Sequence, residues 1–237
     1  MKYLFLFSSL LLSLTSKCQT GKSLYKTIDG KNIYNVESKK VFIVTSGFMI
    51  DADGAPKAYH ADSKIALDYL GNAGKPGNWW AIITDTRKSS GKPIVQSATD
   101  PAPGYYVSMT SLQDGSKKET DPNRYVNSET IPYIAVPPKF SKDFRLGDIA
   151  LVINKANNKR CFAIFADTGP GNKIGEGSIY LAQQLGLQGS PKSGGTNSGI
   201  VYILLKNSGK GTVLTNNQIQ EIGKTKITEA DIIELLK

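Results

Sequence analysis

Between residues 161 and 205 only two side chains are acidic, Asp167 and Glu176. Two carboxyl groups whose surroundings push their pKa values apart are what acid/base hydrolysis needs. One, protonated, donates to the leaving oxygen; the other, ionised, activates a water. Asp167 ends the apolar run Cys161 to Ala166, where burial disfavours charge, so its pKa is expected to rise. Glu176 lies in Gly175-Glu176-Gly177-Ser178, just ahead of Ile179, Ala182 and Leu185 at helical spacing. The free N–H groups and dipole of a helix start favour a carboxylate, so its pKa is expected to fall. On that argument Asp167 is the general acid and Glu176 the base. An acid after a strand is also a common turn former, and an acid at a helix start a common cap, so spacing alone leaves a structural reading open.

These side chains need a scaffold. The uninterrupted run Cys161–Ala166 predicts a strand buried on both faces. Thr168-Gly169-Pro170-Gly171 has turn chemistry, and Gly186 stops the following helix. Asp148–Ile153 predicts a strand paired with the Cys161 strand through a turn at 154–159. Val41–Thr45 predicts another, running through Phe48-Met49-Ile50 to Asp51-Ala52-Asp53-Gly54. Asp51 and Asp53 are expected to contact substrate. The alternating ligands and closing glutamate of a calcium loop are missing around them, so no metal or other cofactor is expected.

Tyr59 and His60 are further candidates for sugar contact. Asp62–Leu70 is expected to form a short helix capped by Asp62. Trp79 and Trp80 precede a predicted strand at Ala81–Thr84, where neighbours face opposite ways. One tryptophan should therefore enter the core and the other stack on a pyranose ring; Trp79 is taken as the binding one. Tyr106, Ser108 and Thr110 alternate on a predicted strand, and Tyr106 and Ser108 are assigned to a polar cleft floor. Residues 20–40 suit an edge hairpin turning at Asp29-Gly30, Gly199–Leu205 closes the sheet, and Thr228-Glu-Ala-Asp231 is a capping box for a last helix.

The chain has 237 residues and a formal charge of +9. Lys2, the apolar run Tyr3–Leu14 and the small residues around Cys18 read as a secretory signal peptide over 1–18, followed by one domain, 19–237. Lipidation of Cys18 is the alternative. Without 1–18 the charge is +7 and one cysteine, Cys161, remains. The basic excess lies outside the motif-bearing stretches: residues 19–46 hold five basic and two acidic residues, and 47–138 hold nine and ten. No nucleic-acid motif accompanies it. A secreted (periplasmic or extracellular) monomer is expected, without nucleic acid and without stable membrane insertion.

Phe162-Ala-Ile-Phe-Ala-Asp167-Thr-Gly, followed by Ile174-Gly175-Glu176-Gly-Ser178-Ile-Tyr-Leu181-Ala, resembles the core signature of the fungal-type chitosanases, glycoside hydrolase family 75. Asp51-Ala-Asp53-Gly resembles an early segment of the same family. The resemblance covers well under half of the chain. It implies endo-hydrolysis of β-1,4-linked glucosamine polymer with inversion, Asp167 and Glu176 being the catalytic pair. The family's several cysteines are not matched here. A looser resemblance to the double-psi β-barrel of expansins, family 45 cellulases and RlpA-like proteins implies a mostly β fold around a six-stranded barrel. It keeps two rivals open: a peptidoglycan-acting protein of the RlpA or lytic-transglycosylase kind, needing only the Asp167 position, and a non-catalytic expansin-like binder. A strongly cationic chain would mildly repel polycationic chitosan.

Overall fold

The computed structural model describes residues 21–169 and 171–237. The proposed signal peptide and Cys18 lie outside the described residues. The strands are β1 (Lys22–Ile28), β2 (Lys31–Val36), β3 (Val41–Asp51), β4 (Gly74–Lys75), β5 (Asn78–Trp79), β6 (Tyr133–Ala135), β7 (Ile149–Asn154), β8 (Arg160–Asp167), β9 (Glu176–Ser178) and β10 (Thr196–Leu205). The α-helices are α1 (Pro138–Ser141), α2 (Ile179–Gln184), α3 (Asn216–Lys226) and α4 (Glu229–Leu236). Among the described residues, no helix is long and apolar enough to cross a membrane.

Strands β3, β10, β7, β8, β6 and β9 pair in that order, and β9 pairs back onto β3, closing a six-stranded barrel. The β1–β2 hairpin adds to β3 from outside, turning at Asp29 and Gly30, both at positive φ. The expected mostly β fold, a six-stranded barrel with N-terminal additions, is what the chain forms. Every residue of β7 is buried, as is β8 from Cys161 onward. Alternation along the strands sends one set of side chains (Phe42, Val44, Ala163, Phe165, Tyr202) into a cluster with Phe140 and α2. The other set (Ile43, Leu151, Ile164, Ile203) packs with Ile219, Ile232 and Leu235 of α3 and α4. With both faces covered, these strands need no polar side, which is why they read as continuous apolar runs. Cys161 is buried and free, and burial pushes its thiol up to about 11, out of reach of nucleophilic chemistry.

Residues 52–132, between β3 and β6, carry almost no regular structure. The expected helix at Asp62–Leu70 does not form. Backbone bonds from Leu67 to Lys57 and from Asp68 to Ala58 fold the segment back on itself, and the Asp62 carboxylate accepts the Lys64 N–H in a turn. The strands expected at Ala81–Thr84 and Tyr105–Leu112 reduce to isolated bridges, Ile82 to Ser108 and Val95 to Tyr106. This irregular segment builds much of one wall of a cleft over the open ends of β3, β8 and β9.

Candidate active site

Ala135 on β6 is the register partner of Asp167 on β8 and of Glu176 on β9. The β6–β8 register shifts between Ile134 and Ala135, at the step that brings Asp167 opposite Ala135, so the two acids stand on the two strands that flank Ala135. Two flat-sheet strand spacings would be about 9.5 Å, and the curvature of the barrel shortens this. On the far side of β9, β3 runs parallel and sets Asp51 opposite Ser178. The barrel wall thus delivers three acids to one place, and the turn after β3 adds a fourth, Asp53. All four line an open cleft of about 1220 Å³. Carboxylate oxygens of Asp51, Asp53 and Asp167 come within 4.8 Å of one another, with Glu176 outside this tight group.

The acids differ in their partners. Oδ1 of Asp167 accepts the Ser111 N–H at 3.0 Å, the Ser111 hydroxyl at 2.6 Å and the Thr168 N–H at 2.8 Å. Burial raises its pKa, and these donors pull it back toward the ionised form. Oε2 of Glu176 is buried with no hydrogen-bond partner among the described residues. Burial, with Asp51 and Asp167 nearby, holds its pKa well above the ordinary carboxyl value. This overturns the expected fall. Glu176 sits on a strand two residues ahead of the helix cap, and it is Ser178 whose hydroxyl accepts the Leu181 N–H.

Asp53 accepts the Tyr59 hydroxyl at 2.6 Å, and its own N–H donates to Oδ1 of Asp51 at 2.8 Å. The Tyr133 hydroxyl donates to the Asp53 carbonyl at 3.0 Å. Burial first, then Asp167, pushes Asp51 up to about 7; burial first, then Asp51, raises Asp53 well above the usual range. The three-Asp spacing is also that of a cation site. The hydroxyl and amide donors named above all sit on Oδ1 of each Asp, so the three Oδ1 atoms are already engaged within the fold.

The other candidates divide. Tyr59 lines the cleft but is buried, its hydroxyl committed to Asp53. Trp79 is 6% exposed and part of the core, whereas Trp80 is 54% exposed on the cleft wall, its indole N–H anchored on the Asn72 carbonyl. Both tryptophans line the cleft, and Trp80 is the one with an exposed ring. Ser108 is buried, receiving the Gly54 N–H and donating to the Ala81 carbonyl, which removes it from the cleft floor. Tyr106 and His60 also lie off the cleft lining. His60 packs on Tyr105 and caps the Asp62 N–H.

Three contributors escaped the sequence reading. Ser111 was passed over because alternation selected its neighbours; the chain turns after Thr110, and the Leu112 N–H joins the Ala166 carbonyl, bringing Ser111 onto Asp167. Ala135 is distinguished only by being small. Asp68, buried on the cleft wall and held by Asn72 and the Tyr69 N–H, lay in the segment expected to be helical.

The cleft is acidic although the chain is basic. Asp51, Asp53, Asp68, Glu119, Asp167 and Glu176 line it against Arg87 and Lys88, and Arg87 is paired with Glu119 at 2.7 Å. Compared with known protein families and with curated proteins, the chain matches none.

Proposed function

We propose that this protein is a glycoside hydrolase that cuts β-1,4-linked glucosamine polymer internally, outside the cytoplasm, with inversion at the anomeric carbon. The observation that carries the reading is the pair Asp167 and Glu176 flanking Ala135 at the floor of an open, acid-lined cleft. Two strand spacings between backbones suit the carboxyl separation of about 6.5–9.5 Å that admits a water beneath the sugar. Glu176, its Oε2 without a partner and its pKa raised by burial, is the proton donor to the leaving oxygen. Asp167, held toward its ionised form by three donors, is the base that activates the water. These roles reverse those expected from the helix-start argument, whose premise fails at Glu176.

The cleft's carboxyl groups suit an amino-sugar glycan as hydrogen-bond partners for its amino and hydroxyl groups, whichever of them hold protons. Trp80 offers an exposed ring for a pyranose face. The test is to incubate the purified protein with chitosan, chitin, cellulose and peptidoglycan, and to follow soluble products and their first-formed anomer by NMR. Oligomers from chitosan with inverted configuration are expected. Release from peptidoglycan alone would move the reading to a peptidoglycan-acting enzyme, and no release from any polymer would move it to a binding protein.

A further inference from the structure

We propose that Asp53 and Asp167 form a carboxyl–carboxylate pair in which Asp53 holds the proton and donates it to Asp167, making Asp53 the positioning residue for the base. The proposal rests on the hydrolase reading for its consequence and on geometry for its existence. Oxygens of the two residues share a space under 4.8 Å across, together with Asp51, and two bare carboxylates at such distance repel. Three donors crowd Oδ1 of Asp167, which leaves Oδ2 to meet Asp53.

The surroundings decide where the proton sits. Asp167 has a hydroxyl and two amide N–H groups to stabilise its charge, whereas Asp53 has one hydroxyl, from Tyr59. The groups acting on Asp53 from the packed elements are Asp51 on β3, Glu176 on β9 and Asp167 on β8, all acidic, with the phenols of Tyr59 and Tyr133 beside it. A second negative charge at Asp53 would be the costliest in the cluster, so the proton stays there. The Asp53 O–H then orients Asp167 and keeps it ionised, while one lone pair of Oδ2 remains for the attacking water.

Two measurements test this. Carboxyl 13C shifts of Asp-labelled protein are followed from about pH 3 to about pH 10, in wild type and in Asp53→Asn. In wild type the Asp167 carbon is expected to move in two steps, the second coinciding with the ionisation of Asp53, and in one step in Asp53→Asn. An Asp53 that titrates in one ordinary carboxylate step, with no echo at Asp167, overturns the pair. This readout stands whether or not any glycan is cleaved, so a wild type inactive on all polymers removes the hydrolase reading and leaves the pair to be judged by its carbons. In an active wild type, Asp53→Ala removes the donor: the acid limb of kcat/KM should move to higher pH and turnover should fall about 10²-fold, the lower range for a mispositioned base. Asp53→Asn, whose amide still donates, should recover most of that loss. An acid limb unmoved in folded Asp53→Ala, or an Asn variant no better than Ala, overturns the positioning role.

Discussion

A Cβ placed on Gly169 would lie 2.5 Å from Oε2 of Glu176. The glycine after the Asp-Thr pair is therefore a matter of space: the turn leaving β8 passes so close to the opposite carboxyl that a side chain there would have to displace it. Its next neighbour, the Ala135 methyl, is 3.3 Å away. Gly169→Ala should be absorbed by rotation of the Glu176 side chain, since its far end is free to move. Melting temperature is expected to change little while turnover falls about 10²-fold through displacement of a proton donor. A variant of wild-type activity would show that Oε2 need not occupy its present place.

Ser111 offers a smaller and more selective perturbation. Removing its hydroxyl in Ser111→Ala takes one charge-stabilising bond from Asp167 and leaves the backbone N–H in place. The bond lowers the Asp167 pKa, so its loss raises it, and the base protonates at a higher pH. The acid limb of the rate profile should move up by about one unit, the equivalent of about 1.4 kcal/mol. Activity well above that limb should be nearly intact. An unshifted limb would mean that the hydroxyl does not stabilise the charge of the base.

The barrel was legible in the sequence because strands covered on both faces leave an unambiguous trace: β7 and β8 are unbroken apolar runs, and β3 announces itself from Val41 to Asp51. Asp167, Asp51 and Asp53 followed, since each lies at the end of such a strand or one turn beyond; Glu176, which opens the three-residue β9, stood out only as the second of two acids in its stretch. The cleft wall was not legible. Residues 52–132 are held by turns, side-chain caps and single bridges, and none of these has a period. Period-two reasoning therefore chose Ser108 over Ser111 and gave no ground for choosing Trp80 over Trp79. The charge state of Glu176 was misjudged for a different reason. A helix start favours a carboxylate only when the side chain reaches the free N–H groups, and Glu176 opens β9, with Ser178 rather than Glu176 capping α2.

Asp51 makes stability depend on pH. Its carboxyl titrates at about 7 in the fold, against about 3.9 in an unfolded chain. Between those values the folded state keeps a proton that the unfolded state has lost. Its contribution is complete below about pH 4 and is lost as pH rises through about 7, on the order of a few kcal/mol in all. Asp51→Asn removes the titration. Denaturant unfolding should find the variant more stable than wild type near pH 8, with the advantage shrinking toward pH 4. A constant difference across that range would contradict the shift.

The two tryptophans should separate stability from binding. Trp79→Ala empties a core position and should cost about 3–5 kcal/mol by denaturant unfolding. Trp80→Ala should leave the midpoint alone and raise KM for long chitosan oligomers, by the several-fold that a stacking energy of about 0.5–1.5 kcal/mol allows. Equal effects of the two on unfolding would remove Trp80 from the binding wall.

The division of labour between Glu176 and Asp167 has its own test. Glu176→Gln and Asp167→Asn keep shape and remove the titrating group. Each should cost about 10²–10⁴ in turnover on polymer. The losses should combine non-additively, because both groups act on one transition state. A substrate with a good leaving group needs little protonation, so Glu176→Gln should recover most of its activity on it while Asp167→Asn stays slow. Azide, which attacks without a base, should rescue Asp167→Asn and yield a glycosyl azide of inverted configuration. The alkaline limb of the wild-type profile should disappear on the activated substrate, since it reports loss of the Glu176 proton as pH rises through its elevated pKa. Recovery of Asp167→Asn on the activated substrate, with azide rescuing Glu176→Gln, would exchange the two roles. The three donors on Oδ1 of Asp167 and the unpartnered Oε2 of Glu176 are the physical reason to expect the first outcome.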